Sequence, residues 1–352
     1  MRRLPVFFVL DVSESMVGDN IRQLNLVLEG IVKNLRTDPH ALDTVYLSAI
    51  VFAGKAKTLT PLVELASFYP PRLPLGSGTS LGVALDHLMA EMDRSVLKNT
   101  AEQKGDWKPV VYLLTDGKPT DQADAAITKW RDRYSSRASM IAIGIGQYAS
   151  LDSLQKLTDD AFVLNASSDA EFARFIRWMS QSMSVQSRSV SAGPTEKVSL
   201  AKLDHSIMKK IDDIAQAAQV DEDFVILTGR CQNTKLPYVM RYERIAPEVL
   251  KTAQVNTETV LYNLNAVFPL EMDYFDLSDD RVMTKSVNSN SLIGAPGCPH
   301  CGNSIGFAVC SCGQLMCLRG TGEATCPWCG TVGNYTMEEA SGPGMDVTRS
   351  RG

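Results

Sequence analysis

The strongest constraint on the fold is a regular alternation of short apolar runs and amphipathic stretches over residues 5–183. The apolar runs have the length of buried strands, and the amphipathic stretches have helical periodicity. Strands that alternate with helices form a mostly parallel sheet with helices on both faces, so we predict a doubly wound α/β domain at residues 1–183. The predicted strands are Val6–Leu10, Val45–Phe52, Val110–Thr115, Met140–Ile145 and Phe162–Leu164, and the predicted helices are Asn20–Leu35, Ser80–Leu97, Gln122–Ser135, Ser150–Leu157 and Asp169–Met183.

The second half of the chain has a different pattern. Residues 184–204 are rich in serine, contain Gly193-Pro194 and lack apolar periodicity, which predicts a linker. For residues 205–336 we predict a β-rich segment followed by a small zinc-ribbon-like module, and for residues 337–352 a disordered polar tail. Within this half we expect a helix at Ser206–Gln219 and strands at Phe224–Leu227, Tyr238–Arg244 and Thr259–Leu264.

Composition excludes some classes of protein. The net charge of −5 and the pI near 5.5 argue against general nucleic-acid binding, which needs clustered lysine and arginine. No apolar stretch approaches the roughly 18 residues that span a bilayer, and no cleavage site follows the short apolar run near the N-terminus. We therefore expect a cytoplasmic protein that does not bind membranes.

Three polar segments lie where strands end or a helix begins. Asp11-x-Ser13-x-Ser15 follows the first strand, Thr79 lies in GSGTS before a helix, and Asp116 follows a later strand. Since the carboxyl ends of parallel strands meet at one edge of a sheet, these oxygens can converge there. They suit Mg²⁺ or Mn²⁺, with Ca²⁺ as an alternative. Two carboxylates balance the charge of a divalent ion, which leaves a coordination position for an acidic side chain of a partner protein.

These segments resemble the metal-ion-dependent adhesion site of von Willebrand factor A domains, over about residues 5–183. The resemblance implies that Ser13, Ser15 and Thr79 are hydroxyl ligands, and that Asp11 and Asp116 bind the ion directly or through water. It also implies recognition of protein partners through an acidic residue that completes the metal shell.

Features that would indicate an enzyme are missing from the sequence. A phosphoaspartate hydrolase needs a second acid where Ser13 stands, and the chain has no GxxxxGK[ST] phosphate loop. We predict a protein without catalytic residues. The alternatives that stay open are a nucleic-acid-binding regulator that acts through the zinc module, and a ubiquitin-ligase-like or hydrolytic enzyme.

Seven of the eight cysteines lie between Cys298 and Cys329. In a reducing compartment such a cluster binds metal more often than it forms disulfides. Two CPxCG knuckles suit one closed zinc site, whose predicted ligands are Cys298, Cys301, Cys326 and Cys329.

Between the knuckles lie three further cysteines in the order found in cross-braced folds with two zinc ions: Cys310, Cys312 and Cys317. A second zinc would then need an eighth ligand, either His300 or Cys231, and the pairing of the cysteines would change. The alternatives are inert buried thiols for the three and a buried strand cysteine for Cys231.

The whole pattern resembles the TerY-type family. The specific match is TGRCQNTKLPYVMRYER together with CPxC…CxC…CPWCG, over roughly residues 205–335. The resemblance implies a role in resistance to tellurite and chemical stress as a scaffold or sensor. It also implies action together with a serine/threonine protein kinase and a metal-dependent protein phosphatase.

A kinase partner would need an acceptor site. In the predicted linker the candidate phosphoacceptors are Ser184, Ser187, Ser189 and Ser191, because added charge in a flexible segment could dock or release the zinc module. The alternative is a solvated linker without modification.

Overall fold

The computed structural model describes residues 2–101, 103–116, 118–145, 151–164, 168–192, 200–202, 207–210, 224–246, 260–278, 286–336 and 344–349. The chain forms two compact units. The first consists of Met1–Leu73 and Thr79–Ala218, and the second of Pro74–Gly78 and Gln219–Gly352.

A seven-stranded sheet forms the centre of the first unit, with the strand order β3-β2-β1-β4-β5-β6-β7. The neighbours from β2 through β6 are parallel, and β3 and β7 join the two edges antiparallel. The strands are β1 Leu4–Asp11, β2 Val45–Phe52, β3 Ala56–Glu64, β4 Val110–Thr115, β5 Ser139–Ile145, β6 Ala161–Leu164 and β7 Met208–Lys210. The helices are α1 Asp19–Leu35, α2 Pro39–Thr44, α3 Leu81–Ser95, α4 Asp124–Arg133, α5 Leu151–Leu157 and α6 Asp169–Ala192, with single 3-10 turns at Glu14–Met16 and Leu65–Ser67.

The core of this unit explains why the central strands are apolar throughout. All eight residues of β1 are buried, as expected for a strand covered on both faces. Phe7 and Val9 pack against Leu85 of α3 and Trp130 of α4 on one face. Phe8 points the other way, because side chains alternate along a strand, and stacks on Tyr112 with ring centroids 6.0 Å apart.

The structure confirms the predicted doubly wound α/β fold. The predicted bounds of β2 and β4 match, and the other three predicted strands differ by one or two residues. The sequence prediction missed both antiparallel edge strands and the short α2.

The predicted linker is wrong for residues 184–192, which continue α6 to Ala192. Helical packing there buries polar side chains, namely Gln186 and Ser187. Because polar residues occupy buried positions, the sequence of this segment has no apolar periodicity that would indicate a helix. The predicted helix at Ser206–Gln219 is wrong at Met208–Lys210, which form β7, and its part from residue 211 lies outside the described residues.

The second unit is built on a six-stranded mixed sheet with the strand order β12-β10-β9-β8-β14-β13. The β-rich segment and the cysteine-rich region therefore share one sheet. Two further pairs, β11 with β17 and β15 with β16, are antiparallel. The elements are β8 Phe224–Arg230, β9 Pro237–Arg244, β10 Tyr262–Pro269, α7 Tyr274–Leu277, β11 Ser286–Asn288, β12 Leu292–Ile293, β13 Ile305–Val309, β14 Leu315–Leu318, β15 Gly322–Thr325, β16 Val332–Tyr335 and β17 Asp346–Thr348, with a 3-10 turn at Ser289–Ser291.

Two of the three strands predicted here are confirmed as β8 and β9, and the third lies three residues later, as β10. The predicted disordered tail is wrong at Asp346–Thr348, because β17 pairs with β11 and Val347 is buried. Residues 337–343 and 350–352 of that tail lie outside the described residues. Among the described helices, none has both the length and the apolar character that crossing a bilayer requires.

Candidate metal sites

The predicted oxygen ligands lie at one edge of the first sheet, where the adjacent parallel strands β1 and β4 end. The hydroxyls of Ser13 and Ser15 are 2.9 Å apart, and Ser15 Oγ donates to Asp116 Oδ1 at 2.8 Å. The backbone N–H of Ser13 donates to Asp11 Oδ1 at 2.9 Å. The structure thus brings four of the five predicted ligands into one hydrogen-bonded group. We call this group, together with Thr79, the oxygen site.

Two neighbouring side chains hold the carboxylates of this site, and sequence reasoning missed both. Thr115 Oγ1 donates to Asp11 Oδ2 at 2.5 Å, and Asn20 Nδ2 donates to Asp116 Oδ2 at 3.1 Å. Thr115 directly precedes Asp116 in the TDG segment, which was the available signal. Such supporting hydrogen bonds fix the direction in which a ligand oxygen points.

Thr79 is tied to the same edge through its backbone. Its N–H donates to Thr120 Oγ1 at 2.9 Å, and the N–H of Thr120 donates back to the Thr79 carbonyl at 2.8 Å. Gly78 has a φ of +92°, a conformation that favours glycine. The buried Thr79 Oγ1 has no hydrogen-bond partner among the described residues. A buried hydroxyl of this kind costs free energy unless something else binds it.

The electrostatics of the site favour a cation. Burial of the carboxyl is the main cause that raises the pKa of Asp11 to about 7, and the negative charge of Asp116 adds to it. Hydrogen bonds from Thr115 and Ser13 lower the pKa but do not offset these causes. A bound cation would relieve both the burial and the repulsion of the two carboxylates.

The spacing of the oxygens also fits a small divalent ion. Neighbouring ligands of an octahedral ion with bonds of about 2.1 Å lie about 3.0 Å apart. The two measured separations, 2.9 Å between Ser13 Oγ and Ser15 Oγ and 2.8 Å between Ser15 Oγ and Asp116 Oδ1, are close to that value. These residues are therefore compatible with a small divalent ion.

The eight cysteines of the second unit form two groups of four. Within each group the sulfur atoms all lie within 4.8 Å of one another. The buried cluster consists of Cys231, Cys298, Cys301 and Cys317. The exposed cluster consists of Cys310, Cys312, Cys326 and Cys329.

This grouping corrects the predicted one. The two CPxCG knuckles do not share an ion site, because Cys298 belongs to the buried cluster and Cys326 to the exposed one. Cys231 is the eighth ligand candidate and not an isolated strand cysteine. His300 is not in either group, since its Nε2 lies 2.7 Å from the Pro237 carbonyl.

Distances between sulfur atoms fit zinc. Four sulfurs in a tetrahedron with bonds of about 2.3 Å lie about 3.8 Å apart. Cys301 and Cys317 are 3.7 Å apart in the buried cluster. In the exposed cluster, the Cys310–Cys329 and Cys312–Cys326 separations are 3.8 Å and 3.9 Å.

Cys231 lies in a turn with the same geometry as the two recognised knuckles. Each of the three turns begins at a cysteine whose N–H donates to the carbonyl five residues later, at 2.8–2.9 Å. Position five of the turn has positive φ in all three cases: Gly302 at +73°, Gly330 at +76° and Lys235 at +63°. The sequence did not reveal the third turn because lysine occupies the position where the other two have glycine.

Hydrogen bonds prepare Cys231 for a metal. Burial raises the pKa of its thiol, but hydrogen bonds from Thr234, from the backbone of Asn233 and from Cys301 outweigh burial and lower the pKa to about 6. The thiolate is the form of cysteine that binds metal.

The predicted phosphoacceptors do not lie in a flexible linker. Ser184 and Ser187 lie within α6, and Ser187 is only 1% exposed. Ser189 and Ser191 belong to the last turns of the same helix. The backbone of residues 184–192 is helical, so it is not the flexible segment that the prediction assumed.

Comparisons with known proteins agree with both regions. Residues 6–178 match the von Willebrand factor type A domain, and residues 221–352 match the TerY-C metal binding domain. The chain has the domain architecture of the TerY-type proteins. The von Willebrand factor A domain contains the oxygen site, and the TerY-C domain contains both cysteine clusters.

Solved structures similar to this chain match over 52% of its length. Proximal thread matrix protein 1 from the mussel byssus is 20% identical, with a TM-score of 0.39 and 48% of its own length covered. The von Willebrand factor type A protein from Catenulispora acidiphila is 19% identical, with a TM-score of 0.38 and 43% covered. The pilus adhesin SpaC from Lactobacillus rhamnosus GG is 14% identical, with a TM-score of 0.41 and 30% covered. The chain thus spans less than half the length of each of these proteins.

Proposed function

We propose that this chain is a metal-dependent protein-interaction scaffold and not an enzyme. In this proposal Mg²⁺ or Mn²⁺ binds at the oxygen site, and an acidic side chain of a partner protein completes the metal shell. The observation that carries the proposal is the hydrogen-bonded group of carboxylates and hydroxyls, together with a buried Thr79 hydroxyl that has no hydrogen-bond partner among the described residues.

The charges of the site support an acidic partner. Asp11 and Asp116 together balance a divalent ion, and the other three ligands are neutral hydroxyls. The bound ion would therefore keep enough positive field to attract a carboxylate, whereas a third acidic ligand would repel it.

The two cysteine clusters are proposed to hold one zinc ion each. Four thiolates around each ion form closed sites, which in proteins stabilise structure and leave no position for substrate. Their role in this proposal is to hold the fold of the TerY-C domain.

The domain architecture supports the finer part of the proposal. A chain of the TerY type is expected to act with a serine/threonine protein kinase and a metal-dependent protein phosphatase in the response to tellurite or other chemical stress. We propose that one of these partners supplies the acidic residue, in the cytoplasm.

The test measures binding of the purified kinase and phosphatase to the full chain under two conditions. The first contains Mg²⁺. In the second, an excess of chelator removes the metals, and zinc alone is then added back. We expect binding in Mg²⁺ that is lost on chelation and in the Asp11→Ala variant. Asp19→Ala is the matched control, because Asp19 is an exposed acid at the start of α1. Binding that ignores both Mg²⁺ and Asp11→Ala would refute the oxygen site as the recognition surface.

A further inference from the structure

The two cysteine clusters differ in how solvent reaches their sulfur atoms. In the buried cluster Cys231 and Cys317 are 0% exposed, Cys298 is 4% exposed and Cys301 is partly buried. In the exposed cluster two cysteines are buried and two, Cys312 and Cys329, are exposed. A dissolved reagent can therefore reach two cysteines of one cluster, while the other cluster has no exposed cysteine.

The surroundings of the clusters reinforce this difference. The buried cluster is part of the core of the second sheet, where it packs with Val225, Tyr238 and Met240. Cys312 lies in a turn, residues 311–314, in which every residue is exposed, and residues 329–332 around Cys329 are exposed as well.

Each exposed sulfur of the second cluster faces a buried one. Cys312 Sγ is 3.9 Å from Cys326 Sγ, and Cys329 Sγ is 3.8 Å from Cys310 Sγ. A disulfide needs a sulfur separation of about 2.05 Å, so each pair has to close by about 2 Å. Short turns on the protein surface can make such a movement more easily than a packed core.

We propose that the exposed cluster is an oxidative modification site for hydroperoxides, at which disulfide formation releases its metal while the buried cluster keeps its own. The inference rests on the proposed zinc binding by the cysteines. It assigns a different reactivity toward oxidants to two sites that each consist of four cysteines.

The chemistry balances with a hydroperoxide as the oxidant. The Cys312 thiolate attacks the terminal peroxide oxygen, the O–O bond breaks, and a sulfenic acid forms while hydroxide (or, from an organic hydroperoxide, alkoxide) leaves. The Cys326 thiolate then attacks the sulfenic sulfur, the S–S bond forms, and a second hydroxide leaves. With hydrogen peroxide, two thiolates and two protons yield one disulfide and two waters. The sulfurs of a disulfide no longer bind zinc as thiolates do.

The structural consequence is local. Residues Cys326–Cys329 lie in the turn between β15 and β16, so loss of the metal there frees this hairpin. The six-stranded sheet keeps the buried cluster, which connects the β8–β9 turn, the knuckle before β13 and strand β14. Oxidation is therefore expected to change one surface of the domain without unfolding it.

The experiment is titration of the zinc-loaded full chain with hydrogen peroxide, followed by native mass spectrometry and disulfide mapping after acid quenching. We expect one of two zinc ions to leave at least about tenfold faster than the other, since access controls thiol oxidation. The early disulfides should be Cys312–Cys326 or Cys310–Cys329. A thiol reductant with added zinc should restore the second ion.

Loss of both ions at the same rate, or first oxidation at the buried cluster, would overturn the inference. The zinc content before oxidation separates this result from failure of the proposed function, because a chain with fewer than two zinc ions would refute zinc binding itself. A Cys312→His variant should still bind zinc but can no longer form the Cys312–Cys326 disulfide. Cys301→His is the control in the buried cluster. The wild-type rates decide the question if either variant fails to bind metal.

Discussion

The oxygen site and the cysteine clusters lie in units whose cores are built differently. The first unit has a large apolar core, in which β1 is buried along its whole length, and its oxygen site lies on loops at the edge of that core. In the second unit three of the four cysteines of the buried cluster are themselves core residues. In the proposed function, a cation at the edge of a completed core serves recognition, whereas a metal within the core serves folding.

The largest predicted effect follows from the loss of one cysteine of the buried cluster. Cys317→Ser should unfold the six-stranded sheet, because structural zinc sites contribute on the order of 10 kcal/mol to folding. Hydrogen exchange should rise throughout residues 224–246 and 305–318, while β1 and β4 keep their protection. Cys329→Ser, in the exposed cluster, is the control and should raise exchange mainly in β15 and β16. An unchanged second sheet in Cys317→Ser would contradict the folding role.

The second prediction concerns the oxygen site. Asp11→Ala should weaken Mn²⁺ binding by about 100-fold or more, because it removes a carboxylate from a site with only two. The fold should persist, since the site is at the edge of the core. Isothermal titration with Mn²⁺ measures the affinity, and circular dichroism checks the fold. If Asp11→Ala unfolded the first unit, the oxygen site would be needed for folding, and it would not differ in this respect from the cysteine clusters.

A third prediction tests how tightly the turn around Cys231 is built. A Cβ at Gly229 would lie 2.4 Å from Tyr238 Cζ, and this buried ring is fixed by a hydrogen bond from its hydroxyl to the Gly306 carbonyl. Gly229→Ala should therefore lower the free energy of unfolding of the second unit by about 1–3 kcal/mol. Gly320→Ala is the matched control, because a Cβ there meets nothing within 4 Å. Equal denaturation midpoints for both variants would show that the ring can move aside.

The smallest predicted effect is a pH dependence at the oxygen site. With the pKa of Asp11 at about 7, Mn²⁺ binding should be about tenfold weaker at pH 6 than at pH 8, since the cation competes with a proton. The stability of the metal-free protein should change with pH in the opposite direction to Mn²⁺ affinity. Because the pKa of Asp11 is raised in the folded state, the contribution of this carboxyl to the free energy of unfolding falls as pH rises from about 4 through 7. The residual binding of Asp11→Asn should lack this pH step, and an equal affinity of the wild type at pH 6 and pH 8 would contradict the assignment.

The sequence was sufficient to predict that oxygen-bearing side chains meet at one edge of the first sheet, and insufficient to predict the cysteine grouping. Each oxygen ligand lies in a short motif, and the parallel topology brings strand ends together, so local patterns determine the site. The cysteine clusters depend on contacts between distant segments. Cys231 precedes Cys298 by 67 residues, and its turn has Lys235 where a glycine would have marked it.

The extended α6 shows a second limit of sequence reasoning. Its last two turns are rich in serine, which is typical of a linker, yet Ser182 and Ser187 are buried by helix packing. Ser182 Oγ accepts a hydrogen bond from the N–H of Ala201 at 3.0 Å, so a serine with a partner can be buried within a helix, and composition alone does not identify a linker.

Metal content measured by native mass spectrometry tests the account most directly. The full chain should carry two zinc ions that resist brief treatment with a mild chelator, and one exchangeable Mg²⁺ or Mn²⁺. Asp11→Ala should lose only the exchangeable ion, and Cys317→Ser should lose zinc while it keeps that ion. A single zinc bound by both CPxCG knuckles, or loss of zinc in Asp11→Ala, would contradict the separation of a recognition metal from the folding metals.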